Sequence, residues 1–122
     1  MPFRLGGIGP ALKTVPVTFG DIATLLRRQA ADFGPSTAID APGGRSLSYA
    51  ELHDRAMRIA GSLAAPGPGD GHGRARFGIV LPNGQDMALA LLAATLAGEA
   101  VPFNPGCTPS EFDAYFRSTR ID

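Results

Sequence analysis

Apolar residues recur at helical spacing in four stretches of the chain, and a polar start pattern precedes each stretch. Each start pairs a small polar residue with an acid three positions later, at Thr18/Asp21, Ser48/Glu51, Asn83/Asp86 and Thr108/Glu111. A side-chain oxygen at a helix start accepts bonds from backbone N–H groups that lack partners, and the acid favours the positive end of the helix dipole. The pattern predicts helices at about 19–33, after Ser48, at about 84–97 and from Pro109 onward.

The apolar positions within these stretches predict which helix faces are buried. The second helix is preceded by Leu47, which is placed to close a hydrophobic staple with Leu52. The third stretch is apolar nearly all round, which indicates burial on more than one face. The faces predicted to pack are Ile22, Leu25, Leu26 and Phe33 in the first helix, Leu52, Ala56, Ile59 and Leu63 in the second, and Phe112, Tyr115 and Phe116 in the fourth.

Short apolar runs between the helices predict strands at 37–40, 45–48, 77–81 and 100–103. The first two runs are joined by the turn-forming APGG, which predicts a hairpin. The order FGIVLPN, apolar helix, AVPF is typical of a parallel strand, a crossover helix and a second parallel strand. The predicted fold class is therefore α/β, with about four helices, short and mostly parallel strands, and one hairpin.

Length, charge and cysteine content exclude several classes of protein. The 122 residues suit one modest domain, preceded by an irregular arm at 1–17 that is broken by Gly and Pro and lacks a signal-peptide core. Eleven basic residues balance eleven acidic ones and the arginines are scattered, which argues against nucleic-acid binding. The longest apolar run, Met87 to Ala97, is shorter than the roughly 20 residues of a membrane span. A single cysteine, Cys107, fits a cytoplasmic location.

Few residues are candidates for chemistry. The only lysine, Lys13, follows no Gly-rich phosphate loop, and the sequence contains no paired-cysteine metal motif. His53 and His72 are interpreted as a solvated helix residue and a loop residue rather than an acid–base or metal pair. Cys107 is interpreted as a small packing residue. The Gly-rich stretch GPGDGHG (67–73) can cradle phosphate in principle but is interpreted as a connecting loop. No catalytic and no metal-binding residue is assigned.

Several segments, taken in order, resemble the N-terminal part of AMP-forming adenylating enzymes, the AMP-dependent synthetase/ligase superfamily. They are LSYAEL within RSLSYAEL (45–52), PGD (68–70), GIVLPN (78–83), LAG (96–98), VPFNP (101–105) and TPSEF (108–112). VPFNP followed by a Thr-Pro helix start is more similar to the acyl-CoA synthetase branch, whose members include enzymes of fatty acid metabolism. The resemblance covers roughly residues 18–120 and assigns 18–122 to a partial N-terminal domain of that superfamily.

The resemblance implies a two-step reaction that uses ATP, Mg²⁺ and coenzyme A in the full-length family. A carboxylate is adenylated with release of pyrophosphate, and a thiol then takes the acyl group. In the family the phosphate loop, the adenine and ribose contacts and the catalytic lysine come later in the chain, so no cofactor is expected for these 122 residues alone. Gly106 matches a glycine that lies near the CoA nucleotide in some acyl-CoA synthetases.

Three hypotheses follow. The first is an N-terminal fragment of an AMP-forming acid–CoA ligase that is inactive alone and pairs with the remainder of the enzyme. The second is a non-catalytic interaction module that associates with a partner or with itself through an exposed sheet edge or the apolar third helix. The third, a small nucleotide-binding α/β domain, depends only on residues 67–73.

Overall fold

A computed structural model describes residues 21–64 and 75–121, so the predicted arm at 1–17 and the stretch 67–73 lie outside the described part. The described residues form a mixed α/β structure, as predicted. Its elements in chain order are α1 (Ile22–Phe33), β1 (Thr37–Ile39), β2 (Leu47–Ser48), α2 (Tyr49–Leu63), β3 (Arg76–Ile79), α3 (Gln85–Ala97), β4 (Glu99–Pro102) and α4 (Pro109–Thr119).

The hairpin predicted around APGG is formed by β1 and β2. The strands pair antiparallel, with Thr37 opposite Ser48 and Ile39 opposite Leu47. In the turn, the Gly44 N–H donates to the Ala41 carbonyl over 2.9 Å. Gly43 lies in the left-handed region at φ 72°, which an L side chain rarely adopts. The hairpin delivers the chain directly into α2, because Ser48 ends β2 and caps the helix.

The parallel pair predicted from the strand–helix–strand order is formed by β3 and β4, with α3 as the crossover. Arg76 lies opposite Glu99, and Ile79 lies opposite Pro102. The N–H groups of Glu99 and Phe103 donate to Ala75 and Ile79 carbonyls over 2.8 Å each. Because alternate residues of a strand point their N–H groups to opposite sides, the Pro102 nitrogen faces away from β3. In the described residues no further strand pairs with either edge of this sheet.

The core lies between α1, β2, α2 and α3. Leu47 is completely buried, and it clusters with Leu26, Leu52, Ala56 and Leu89. Leu47 and Leu52 therefore bury the two ends of the staple that the sequence predicted. The burial predicted for the second half of the α2 face is wrong, because Ile59 and Leu63 are each 37% exposed. The burial predicted for Phe33 in α1 is also wrong, because its side chain is 49% exposed.

Two helix starts have the predicted reciprocal cap. At α2 the Glu51 N–H donates to Ser48 Oγ over 3.1 Å, and the Ser48 N–H donates to Glu51 Oε2 over 2.9 Å. At α4 the Thr108 N–H donates to Glu111 Oε2 over 2.7 Å, and the Glu111 N–H donates to Thr108 Oγ1 over 3.4 Å. Each cap satisfies backbone donors that the first helical turn leaves without partners.

The other two predicted starts need correction. α1 begins at Ile22, and its cap is Asp21, whose Oδ1 accepts from the Thr24 N–H over 2.6 Å; Thr18 lies outside the described residues. The interpretation of Asn83 as a cap is wrong, because Gly84 is the capping residue of α3 and no side chain bonds to the helix start. Gly84 has φ 156°, a conformation that favours glycine. The helix therefore begins one residue later than a cap at Asn83 would place it.

The aromatic residues of α4 pack against the β3–β4 pair through Phe103. Phe103 is 9% exposed, and its ring centroid lies 6.5, 6.2 and 5.1 Å from those of Phe112, Tyr115 and Phe116. The predicted face makes this contact but is not a buried core face, because no residue of α4 is buried and Tyr115 is 45% exposed. A helix packed on one side only leaves large side chains partly in water.

Two residues join the ends of the parallel unit. Arg76 Nε donates to Glu99 Oε2 over 2.7 Å, and its Nη1 donates to the Thr119 carbonyl over 2.9 Å, which ties β3 to β4 and to the end of α4. Gly98, between α3 and β4, is buried and lies so close to the Ala75 carbonyl that a Cβ atom would collide with it. Gly98 is therefore required by close backbone approach.

Candidate functional site

Two loops follow the carboxyl ends of the parallel strands. One runs through 80–84 into α3, and the other runs through 103–108 into α4. In open α/β sheets ligands bind outside the carboxyl ends of the strands, so this edge is the candidate binding edge. It contains Gly106, the one residue that the sequence assigned to a cofactor.

Gly106 lies in a tight turn that Asn104 closes. The Asn104 carbonyl accepts from the Cys107 N–H over 3.1 Å, and Asn104 Oδ1 accepts from the Gly106 N–H over 2.9 Å. A Cβ atom at position 106 would lie 3.3 Å from Asn104 Oδ1, and Gly106 itself is exposed. The turn therefore exposes backbone without a side chain at Gly106, where a ligand can approach closely. The Gly106 N–H is already bonded to Asn104 and is not available to that ligand. The assignment of Gly106 to CoA stays a prediction.

Asn104 is the residue of this turn that the sequence analysis missed. Asn followed by Pro and Gly is typical of a turn in which the Asn side chain bonds the backbone two residues on, so the pattern NPG contained the information. By holding the Gly106 N–H, Asn104 fixes the shape of the loop before any ligand arrives.

The other loop borders a shallow cleft of about 270 Å³. It lies between the β1–β2 turn and the start of α3, and Gln85 Nε2 donates to the Arg45 carbonyl across its edge. The polar side chains that line the cleft are Asn83, Gln85 and Asp86. These groups include no cation that could neutralise a phosphate and no nucleophile.

An apolar groove of about 240 Å³ runs along β3 between α2 and α3. It is partly open to solvent, since Val80 is 43% exposed and Ile59 and Leu63 are each 37% exposed. Ala90 and Ala94 of α3 also line the groove, together with residues of the strand. The groove is lined by residues of β3, and among the described strands only β4 pairs with β3, so the other edge of β3 is open.

The carboxyl groups with shifted pKa values belong to helix caps rather than to a reactive site. The backbone N–H of Ser48 lowers the pKa of Glu51, and the backbone N–H of Thr108 lowers the pKa of Glu111. At α1 the backbone N–H of Thr24 lowers the pKa of Asp21. These groups are ionised at neutral pH and bonded to the backbone, so their role is structural.

The remaining candidates are the two histidines and Cys107. His53 lies half-buried on α2, whereas His72 lies outside the described residues. Cys107 is a half-buried free thiol beside the Gly106 turn. Across residues 21–64 and 75–121, no three His, Cys, Asp or Glu side chains come together as metal ligands.

Comparison with known proteins gives the family. The family model of the AMP-binding enzyme matches residues 26–122, a range that includes the hairpin, the parallel strands and the Gly106 turn. The chain belongs to the AMP-binding enzyme family. The resemblance to adenylating enzymes that the ordered sequence segments predicted is thereby confirmed.

The relatives of the chain are large proteins with different names and activities. The chain is 40% identical over 92 residues to a salicyl-AMP ligase / salicyl-S-ArCP synthetase of Mycobacterium tuberculosis, covering 74% of this chain and 15% of the relative. It is 32% identical over 99 residues to surfactin synthase subunit 1 of Bacillus subtilis, covering 80% of this chain and 3% of the relative. The chain thus spans less than a fifth of each curated relative.

A solved AMP-binding structure has the same fold. The anthranilate CoA ligase AuaEII, in complex with anthranoyl-AMP, matches with a TM-score of 0.64 at 20% identity, covering 83% of this chain and 19% of that chain. At this identity the likeness establishes the fold. Among the helices of the described residues, none is long and apolar enough to cross a membrane.

Proposed function

We propose that residues 18–122 form a partial N-terminal domain of an ATP-dependent, AMP-forming acid–CoA ligase. The enzyme adenylates a carboxylate with ATP and Mg²⁺ and then transfers the acyl group to coenzyme A. The single observation that carries the proposal is the AMP-binding enzyme match over residues 26–122. We place this enzyme in the cytoplasm, which the single cysteine supports.

The acid is proposed to be a small aromatic or aliphatic carboxylic acid. Two similar proteins are a salicyl-AMP ligase and an anthranilate CoA ligase, so aromatic acids are the first to test as substrates. Coenzyme A is the proposed acceptor because the VPFNP–TPSEF segment resembles the acyl-CoA synthetase branch. A carrier-protein thiol is the competing acceptor, since one relative is a salicyl-S-ArCP synthetase.

Within that enzyme, these 122 residues serve as scaffold and are inactive alone. Adenylation needs cations and backbone donors placed around the phosphates. Among the described residues, those that line the cleft at the start of α3 include no cation, and the Gly106 N–H is bonded to Asn104. The groups that act on ATP are therefore proposed to lie in another part of the enzyme.

The first experiment sequences the DNA beyond the codon for Asp122. We expect a Ser/Thr/Gly-rich loop ending in lysine, encoded in frame or in a shifted frame. If it is found, the 122-residue chain is assayed alone and co-expressed with the downstream segment, by ATP–pyrophosphate exchange with salicylate, anthranilate and a fatty acid. A clean stop followed by unrelated sequence would contradict the proposal.

The assay tests the separate parts of the proposal, namely inactivity of the chain alone, adenylation and the thiol acceptor. Exchange is expected only with both segments present, and thioester is expected when coenzyme A is added. Exchange by the 122 residues alone would refute their inactivity. Adenylation without transfer to coenzyme A, but with transfer to a carrier protein, would replace the acceptor and leave the adenylation step in place.

A second candidate function is a non-catalytic interaction module. It is favoured by the apolar groove along β3, which exposed Val80, Ile59 and Leu63 line, and by the edge of β3 that no described strand covers. Such an edge pairs readily with another strand, and burial of the groove would add apolar area. Its partner is proposed to be another segment of the same enzyme or a second copy of the chain.

Association is tested by light scattering after size exclusion across a range of chain concentrations. We expect concentration-dependent mass for the natural chain and a monomer for Val80→Lys, which places a charge in the groove. Met57→Lys is the matched control, because Met57 is exposed to a similar extent, 45% against 43%, but does not line the groove. A monomer at every concentration would exclude self-association, and equal effects of both substitutions would exclude the groove.

A further inference from the structure

We draw no further inference here: the strongest candidate, the apolar groove along the open edge of β3 between α2 and α3, carries nothing beyond the association already proposed, because nothing in the structure shows what covers it.

Discussion

Replacing Gly98 with alanine tests the close approach that joins α3 to β4. Gly98 has φ −176°, which any residue adopts, so the obstacle is space alone. A Cβ atom would collide with the Ala75 carbonyl oxygen and approach Phe77 Cε2 to 2.9 Å. The same carbonyl accepts the Glu99 N–H over 2.8 Å, the first bond between β3 and β4. The methyl group therefore has room only if the two strands separate at this point.

The cost follows from two effects. Overpacking a tight site costs about 1–3 kcal/mol, and loss of one backbone hydrogen bond costs about 0.5–1.5 kcal/mol. We expect Gly98→Ala to lower the free energy of unfolding by about 2–4 kcal/mol, a large part of the roughly 5–15 kcal/mol typical of a domain. For a urea dependence of about 2 kcal/mol per molar, the midpoint falls by about 1–2 M.

The assay is urea unfolding of the 122-residue chain, followed by far-ultraviolet circular dichroism. Gly61→Ala is the matched control, because Gly61 lies on an exposed face of α2 and a Cβ atom there would meet nothing within 4 Å. Since alanine favours a helix over glycine by about 0.5–1 kcal/mol, the control is expected to raise the midpoint. Opposite signs confirm the steric explanation, whereas an unchanged midpoint for Gly98→Ala would refute it.

Three further predictions concern the cap, the aromatic contact and the turn. The pKa of Glu51 is lowered in the folded chain, so its contribution to stability is present above the ordinary pKa of about 4.3 and is lost as pH falls through the folded pKa. Glu51→Gln is therefore expected to reduce the fall of the unfolding free energy with acid, measured by urea unfolding at several pH values. An unchanged pH dependence would contradict the role of Glu51 in the cap. Phe103→Ala should cost about 3–5 kcal/mol and speed hydrogen exchange in α4 more than in α2, and unchanged α4 protection would contradict this. Met57→Ala, at a 45% exposed site, should change little. If the proposed full-length acid–CoA ligase is obtained, Gly106→Ala is expected to raise its KM for coenzyme A several-fold and leave adenylation unchanged. An unaltered KM would remove Gly106 from the proposed CoA site.

Features decided within a few residues were predictable from the sequence. The caps at Ser48 and Thr108 depend on a side chain and a backbone group three positions apart, so the pattern alone located them. The parallel pair was also predictable, because an apolar run, a helix and a second run leave few ways to connect them. The family resemblance depended on the same segments.

Features that depend on distant neighbours were not predictable. Arg76 contacts residues 23 and 43 positions away, and no local pattern announces such partners. The exposure of Ile59 and Leu63 reflects what covers α2 in the described residues rather than their spacing. The candidate site was limited for the same reason: the sequence located Gly106, but only the fold shows that Asn104 holds its N–H.

The position of Pro102 determines which edge of the parallel sheet can accept another strand. The backbone nitrogen of Pro102 faces the outer side of β4 and carries no hydrogen, so a strand that paired on that side would lack one N–H donor from β4. The outer side of β3 has no proline, and Gly78 and Val80 lie along it. Any additional strand is therefore expected to pair with β3, which lines the apolar groove. In that case β4 is the edge strand of the sheet, and the sheet is extended from β3.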